Sequence, residues 1–290
     1  MTAADIQVIP SAGPFGAEVA GIDIGNGLKE RDLQRIRDAL LRHSVIVLRD
    51  QNLSPDDQIG FMDRLYGLRP HYPTSSFSLR GYPQIQVISN IVENGNPIGI
   101  ADAGLLWHSD TCYFPNTEFF VSLYALEIPF RNGVALGDTQ WTSTVKAYEA
   151  LPAGIKMELG QRRVCQSYDF HIEKLHSCGF LTRPPAARKA ETVAQLHPAV
   201  RTHPITGRKL LYVSESFSER IEGLPPERSR TLLEHLWAHL AESRFIFRHS
   251  WKKGDFVVWD NCATQHLATF DYGQIPRRLH RCGGDGPVPE

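Results

Sequence analysis

Two stretches of the chain carry residue types able to do chemistry. The first, LLWHSDTCYF at residues 105–114, sets His108 and Asp110 two apart in a run that is otherwise aromatic, aliphatic or small. A carboxylate in apolar surroundings needs a cation, a cluster of donors or a metal, because burying it alone is costly. On a strand, residues i and i+2 project to one face, so His108 and Asp110 would point together with Ser109 turned away. An H-x-D triplet alone is weak, since a chain with 12 histidines supplies such triplets by chance, and the bland reading is a buried imidazole bonded to its neighbour. The second stretch, WDNCATQHLATFDYGQIPRRLHRC at 259–282, offers His266 and then Arg277, Arg278 and Arg281. Two imidazoles and one carboxylate leave three positions of an octahedral ion open. That arrangement suits non-haem Fe(II) with a chelating cosubstrate and dioxygen, whereas zinc more often receives a closed tetrahedron.

The other histidines compete less well. His235 and His239 stand i, i+4 on a helix with the spacing of a zinc protease, but LWA between them lacks the glutamate such a site uses as base, and both read as partly exposed helix residues. His171 and Glu173 form the one H-x-E, in a proline-containing region without clear period. His197 and His203, each followed by proline, read as strand-edge and turn residues. His280 is the strongest rival of His266, yet Arg278 and Arg281 make its surroundings too cationic for a divalent ion.

The elements that must position these residues alternate between two periods. IQVIP and AEVAGIDI read as strands parted by the breaker-rich SAGPFG. LKERDLQRIRDALLRHS carries Leu28, Leu33, Ile36, Leu40 and Leu41 at helical spacing. VIVLRD is a short buried strand, and Ser54 caps a second helix with Asp56 and Asp57 in its first turn. QIQVIS and FFVSLYALEI are too rich in β-branched and aromatic residues to favour helix, and the H-x-D stretch between them is taken as strand too. Residues 171–195 read as a long excursion or lid, and PPERSRTLLEHLWAHLAE as the last clear helix. RFIFRHSW, GDFVVWDN, ATQHLATF and RRLHRC close the chain as strands. The pattern predicts one domain over residues 1–290, mainly β with helical insertions, as a β-sandwich or jelly roll.

Composition narrows the partners. Lys and Arg total 31 against 32 Asp and Glu, for a net charge of −1, so no basic field exists to hold nucleic acid. Five cysteines (Cys112, Cys165, Cys178, Cys262 and Cys282) without a C-x-x-C pair suit reduced thiols. No leader-like or membrane-spanning pattern is visible, and the expected location is the cytoplasm. A homo-oligomer is compatible with the sequence.

WHSD at 107–110, GDTQW at 137–141, LHPAVRTHPITGRKLLYV at 196–213 and WDNCATQHLATFDY with RRLHR at 259–281 together resemble the Fe(II)/2-oxoglutarate-dependent oxygenases of the taurine dioxygenase and 2,4-dichlorophenoxyacetate dioxygenase type. The resemblance runs from about residue 15 to 285 in consistent order. It implies a double-stranded β-helix, cupin-like, with helices outside. By the same resemblance, His108, Asp110 and His266 are the iron ligands, and Thr139 and Arg277 hold the distal carboxylate of 2-oxoglutarate. A planar guanidinium suits that carboxylate. Arg281, four residues beyond Arg277, matches the arginine that grips the sulfonate in the taurine enzyme, which implies an anionic small-molecule substrate. Two departures stand out. RPHYP places Arg69 or His71 where the taurine enzyme has its substrate histidine, and FRNGVAL at 130–136 is a longer turn than usual. Trp107, Tyr113 and Phe114 are candidate pocket walls, with Tyr113 taken as a substrate contact. The implied reaction consumes Fe(II)-bound 2-oxoglutarate and O2, releases succinate and CO2, and oxidises a C–H bond. The rival reading is a cupin-like hydrolase or isomerase using the same His/Asp/His set with zinc or manganese, which leaves Thr139, Arg277 and Arg281 unexplained.

Overall fold

The structure is a computed structural model that describes residues 6–66, 77–180 and 193–290. Its backbone is an eight-stranded sheet whose spatial order is Gln7–Pro10, Ala17–Ala20, Val45–Leu48, Phe256–Asp260, Glu118–Glu127, Arg278–Asp285, Tyr82–Ser89 and Ser78–Leu79. All neighbours run antiparallel except Ala17–Ala20 and Val45–Leu48. A three-stranded sheet, with Thr139–Ser143 between Ile246–His249 and Thr264–Ala268, supplies the second layer.

Period-2 alternation explains why the large sheet reads as continuous apolar runs. In Phe256–Asp260, Val257 and Trp259 pack with Trp141 and Phe247 of the small sheet. Phe256 and Val258 pack the other way, with Leu33, Ile36 and Leu40 of α1 (Glu30–His43) and Phe61, Met62 and Leu65 of α2 (Pro55–Tyr66). A strand buried on both faces has no polar side to show. Capping is as the sequence indicates: Ser54 Oγ accepts from Asp57 N at 3.2 Å while Ser54 N donates to Asp57 Oδ2 at 2.9 Å, a reciprocal pair that satisfies helix-start donors. A further layer joins α3 (Thr144–Ala150), α4 (Ala153–Leu159) and α6 (Pro226–Leu240) through Leu151, Leu159, Leu233 and Leu236.

Two expectations are revised. WHSD is not a strand. His108 makes a single isolated bridge to His266, and Asp110 and Thr111 form a turn with Thr111 at φ 55°. Residues expected to begin an irregular excursion instead belong to α5 (Tyr168–Ser177), capped by Ser167 Oγ accepting from Phe170 N at 3.1 Å; residues 181–192 lie outside the described part. The long turn at 130–136 is a hairpin pairing Phe130–Arg131 with Val134–Ala135 across Asn132 and Gly133, both at positive φ, the residues a tight hairpin turn demands. No helix among the described residues is long and apolar enough to cross a membrane.

Candidate active site

His108 and His266 are joined through their own backbones. His266 N donates to His108 O at 2.8 Å and His108 N donates to His266 O at 3.2 Å, which brings the two imidazoles side by side, tilted by 45° with ring centres 4.1 Å apart. The strand Thr264–Ala268 supplies His266, and a turn delivers the other two residues. Asn261 holds that turn: its side-chain oxygen accepts from Asp110 N at 2.8 Å, while its amide donates to Asp110 O at 3.0 Å and Glu118 O at 2.8 Å. Asp110 Oδ1 then lies 3.6 Å from His108 Nε2 and Oδ2 lies 3.8 Å from His266 Nε2. One ligand atom from each residue falls within 4.8 Å of the other two. His108 Nδ1 faces Leu106 O at 2.8 Å, which fixes the ring tautomer and leaves Nε2 with its lone pair toward Asp110 and His266. His266 Nδ1 has no such partner, and packing against Trp259, 5.0 Å away, orients the ring instead.

Electrostatics keep these donors in their ligand forms. Burial opposes ionisation of Asp110, but the Arg281 guanidinium, then His266 and His108, hold its carboxyl well below the usual range. His266 is pushed down to about 3 by burial and by the neighbouring His108. A neutral imidazole and an ionised carboxylate are what a divalent cation requires.

Arg277 and Thr139 sit in the same cavity, of about 390 Å³, as the three clustered residues. Arg277 is buried at 4% exposure; Nη2 donates to Gly137 O at 3.1 Å, the guanidinium lies 5.6 Å over the Tyr272 ring, and Nε has no hydrogen-bond partner among the described residues. Burial lowers its pKa against the weaker pull of Tyr272, Asp271 and Asp138, so the cation is short of a counter-charge. Gly137, at φ 76°, permits the approach: a Cβ there would stand 2.9 Å from Arg277 Nε. Thr139 Oγ1 accepts from Trp251 Nε1 at 3.0 Å, which leaves its hydroxyl proton to donate. The site therefore fits a metal chelated by a dicarboxylate, with its ligand atoms at one end and an undercompensated guanidinium at the other.

Arg281 also borders the cavity, but its charge is engaged. Nη1 lies 3.2 Å from Glu118 Oε1, Nη2 contacts Glu118 Oε2, and Nη2 is 3.0 Å from Asp110 Oδ2 without hydrogen-bond alignment. Burial raises Glu118 to about 7 against the pull of Arg281, and the Asp110 charge adds to the rise. The guanidinium expected to meet a substrate anion is thus already forked around a carboxylate. Of the three aromatic residues considered as pocket walls, Tyr113 lines the cavity, 4.9 Å from Phe217 and 5.1 Å from Tyr168, whereas Trp107 and Phe114 are not among its lining residues. Arg69 and His71 lie outside the described residues.

Several of the remaining histidines are placed by other partners. His239 is buried between Glu242 and Ala147 O, His235 is exposed, and His197 bonds Phe114 O. His203 Nε2 meets Asp260 Oδ2 at 2.7 Å in the core, and Asp260 Oδ1 accepts from Cys262 N and Ala263 N, anchoring the turn that leads to His266. His171 binds no cluster of ligands but borders the cavity, with Nδ1 2.7 Å from Ser216 Oγ and its ring 4.6 Å from Phe217. Glu118, Asn261 and Asp260 are the functional residues that sequence reasoning missed. A charged residue heading the apolar run FFVSLYAL was the available signal for Glu118.

Residues 7–282 match the family described as Taurine catabolism dioxygenase TauD, TfdA family. The chain belongs to that family. Among its relatives, pentalenolactone F synthase of Streptomyces arenae is 31% identical, with 96% of this chain and 93% of that protein covered. The alpha-ketoglutarate-dependent sulfate ester dioxygenase of Pseudomonas putida is also 31% identical, over 99% and 92%. A crystal structure of a taurine dioxygenase from Burkholderia xenovorans superposes with a TM-score of 0.79 at 32% identity, covering 99% of this chain and 93% of that one. This TauD/TfdA protein is a 2-oxoglutarate-dependent dioxygenase with Fe(II) as its metal.

Proposed function

We propose that His108, Asp110 and His266 hold the Fe(II), that Thr139 and Arg277 receive the distal carboxylate of 2-oxoglutarate, and that the enzyme oxidises a C–H bond of a small organic molecule lying in the cavity. One juxtaposition carries this reading: three ligand atoms within 4.8 Å of one another share a cavity with a buried guanidinium whose Nε has no partner among the described residues. A hydrolase or isomerase would leave that guanidinium without purpose. When bound, Fe(II) with 2-oxoglutarate and dioxygen supplies a two-electron oxidant, and the cosubstrate leaves as succinate and CO2.

The chain's own residues do the rest. Leu106 O and the mutual backbone bonds of His108 and His266 set the direction of both imidazoles. Arg277 and Thr139 fix one end of the dicarboxylate through charge-assisted and hydroxyl donation, so its keto-acid end faces the metal. Tyr113, Phe217 and Trp259 keep water from the reacting carbon. The architecture consistent with this is a double-stranded β-helix of jelly-roll type in one domain, supported by the two facing sheets and their shared core. A reducing cytoplasm is supported by five unpaired thiols. An anionic head group on the substrate, the sequence expectation, would have to meet Arg281 in competition with Glu118.

Anaerobic titration tests the assignment. A weak visible charge-transfer band is expected only when Fe(II) and 2-oxoglutarate are both present; no band with both at saturation refutes the site. Succinate release over a panel of small organic molecules, with mass spectrometry of the oxidised product, then identifies the substrate.

A further inference from the structure

We propose that Glu118 is a built-in substitute for a substrate anion, and that this enzyme selects an uncharged organic substrate with an apolar body. The proposal rests on the reading of the cavity as the Fe(II) and 2-oxoglutarate centre.

The Glu118–Arg281 contact is a constructed feature. Glu118 and Arg281 are 2% and 5% exposed, and both carboxylate oxygens engage the two terminal nitrogens of the guanidinium. The two residues lie on adjacent antiparallel strands, Glu118–Glu127 and Arg278–Asp285, where Glu118 pairs with Asp285 and the register shifts between that pair and Gly283 opposite Val121. Room for the carboxylate exists only because residue 283 has no side chain: a Cβ on Gly283 would stand 2.2 Å from Glu118 Oε1. A guanidinium has two bidentate edges, Nη1/Nη2 and Nε/Nη2; Glu118 occupies the first, and Asp110 Oδ2 stands 3.0 Å from Nη2, the nitrogen that the second edge shares.

Charge balance points the same way. With the site loaded, Arg277, Arg281 and a dication carry four positive charges. With Glu118 ionised against Arg281, Asp110, Glu118 and the dianionic cosubstrate carry four negative ones. An anionic substrate would add an uncompensated charge to a low-dielectric cavity, whereas a neutral one leaves it balanced. The wall facing the substrate agrees. Tyr113, Tyr168 and Phe217 form an aromatic cluster, and His171, whose Nδ1 is held by Ser216 Oγ, offers its Nε2 to a neutral polar group such as an ester, ketone or alcohol oxygen.

A matched pair of probes, phenoxyacetate and phenoxyacetamide, reads the preference by anaerobic calorimetry on enzyme loaded with Fe(II) and 2-oxoglutarate, where binding occurs without turnover. Wild-type enzyme is expected to bind the amide at least about tenfold more tightly than the carboxylate. Glu118→Gln frees the fork and should turn the preference toward the carboxylate by a similar factor. Gly283→Ala, which displaces the Glu118 carboxylate while keeping its charge in the chain, should shift it in the same direction. The wild-type comparison stands even if Glu118→Gln does not fold. A wild-type preference for the carboxylate, or an amide preference that neither variant moves, overturns the proposal. The charge-transfer band is recorded before each titration. An anion preference with the band present sinks this inference alone, and absence of the band sinks the underlying site.

Discussion

Gly137→Ala perturbs the cosubstrate end of the cavity without touching any of the three clustered residues. The new Cβ would stand 2.9 Å from Arg277 Nε, 3.2 Å from Arg277 Cδ and 3.1 Å from Tyr272 Cδ1. Neither neighbour yields easily. Arg277 is bound at its backbone by Asn90 Oδ1 and Ser89 Oγ, and Tyr272 is 4% exposed. Two costs follow. Alanine at φ 76° in place of glycine costs about 1–2 kcal/mol of folding stability, or roughly 2–6 °C in Tm for a chain of this size. Displacing the guanidinium from its aligned position weakens charge-assisted hydrogen bonds of about 1.5–3 kcal/mol, which corresponds to roughly 10- to 150-fold weaker 2-oxoglutarate binding. Anaerobic titration of the charge-transfer band measures the second cost, thermal unfolding the first, and Fe(II) affinity is the control expected to stay at the wild-type value. A lowered Tm with 2-oxoglutarate affinity within about twofold of wild type would show that Arg277 does not anchor the cosubstrate.

Four further outcomes are expected. Arg277→Gln should weaken 2-oxoglutarate by about 1.5–3 kcal/mol in the same titration, and an unchanged affinity would reassign that arginine. Asp110→Ala should abolish Fe(II)-dependent succinate formation with the circular dichroism spectrum retained; persisting turnover would mean another carboxylate binds the metal. His203→Ala leaves Asp260 buried without its imidazole and should lower stability by about 3–5 kcal/mol in denaturant titration, with weakened Fe(II) binding because Asp260 anchors the turn before His266. Finally, burial lowers the pKa of His43, His171, His197, His249, His266 and His280 from 6.5, with His171 and His280 reaching about 4, so the unfolded chain binds more protons than the folded one as pH falls. Their stabilisation is complete above pH 6.5 and is lost as pH falls toward 4. Glu118, raised to about 7, contributes in the opposite sense but is one group against six, so the Tm of the metal-free protein should fall steadily below pH 6.5, and a flat profile there would contradict the burial of these rings.

The parts legible in the sequence share one physical cause, local pattern. Alternation in FVVWD and FFVSLYALE, the amphipathic stripe of α1 and the Ser54 cap each act over a few residues, and each appears where the pattern puts it. The pairing of His108 with Asp110 was also legible, though for a reason the structure changes: a turn held by Asn261, rather than the shared face of a strand, brings the two together. What stayed hidden depends on partners far away in the chain. Glu118 looks like the polar end of an apolar strand until Arg281, 163 residues later, closes on it, and Gly283 looks like an ordinary glycine until the carboxylate fills its missing side chain. His203 beside a proline suggested a turn, and it does sit in one, but its Nε2 reaches Asp260 across 57 residues.

The two ends of the cavity are built from different material, which bears on how relatives of about 30% identity can act on different molecules. Two of the clustered residues are tied by reciprocal backbone bonds, and Thr139 and His266 lie on adjoining strands of one small sheet with Trp141 opposite His266. Moving any of these requires moving a ladder, so the geometry of oxidation is held by the backbone itself. The substrate wall is assembled from separate pieces: Tyr168 and His171 come from α5, Phe217 from a segment whose carbonyl accepts from the backbone of the cap residue Ser167, and Arg281, which borders the cavity, is met from behind by Glu118 at the head of one strand. Exchanging such residues alters charge and shape at the reacting carbon while the ligand-bearing backbone stays in place. Specificity at the Glu118 position is then a matter of one side chain: with a carboxylate there the guanidinium is satisfied from within, and without it the same guanidinium faces the substrate.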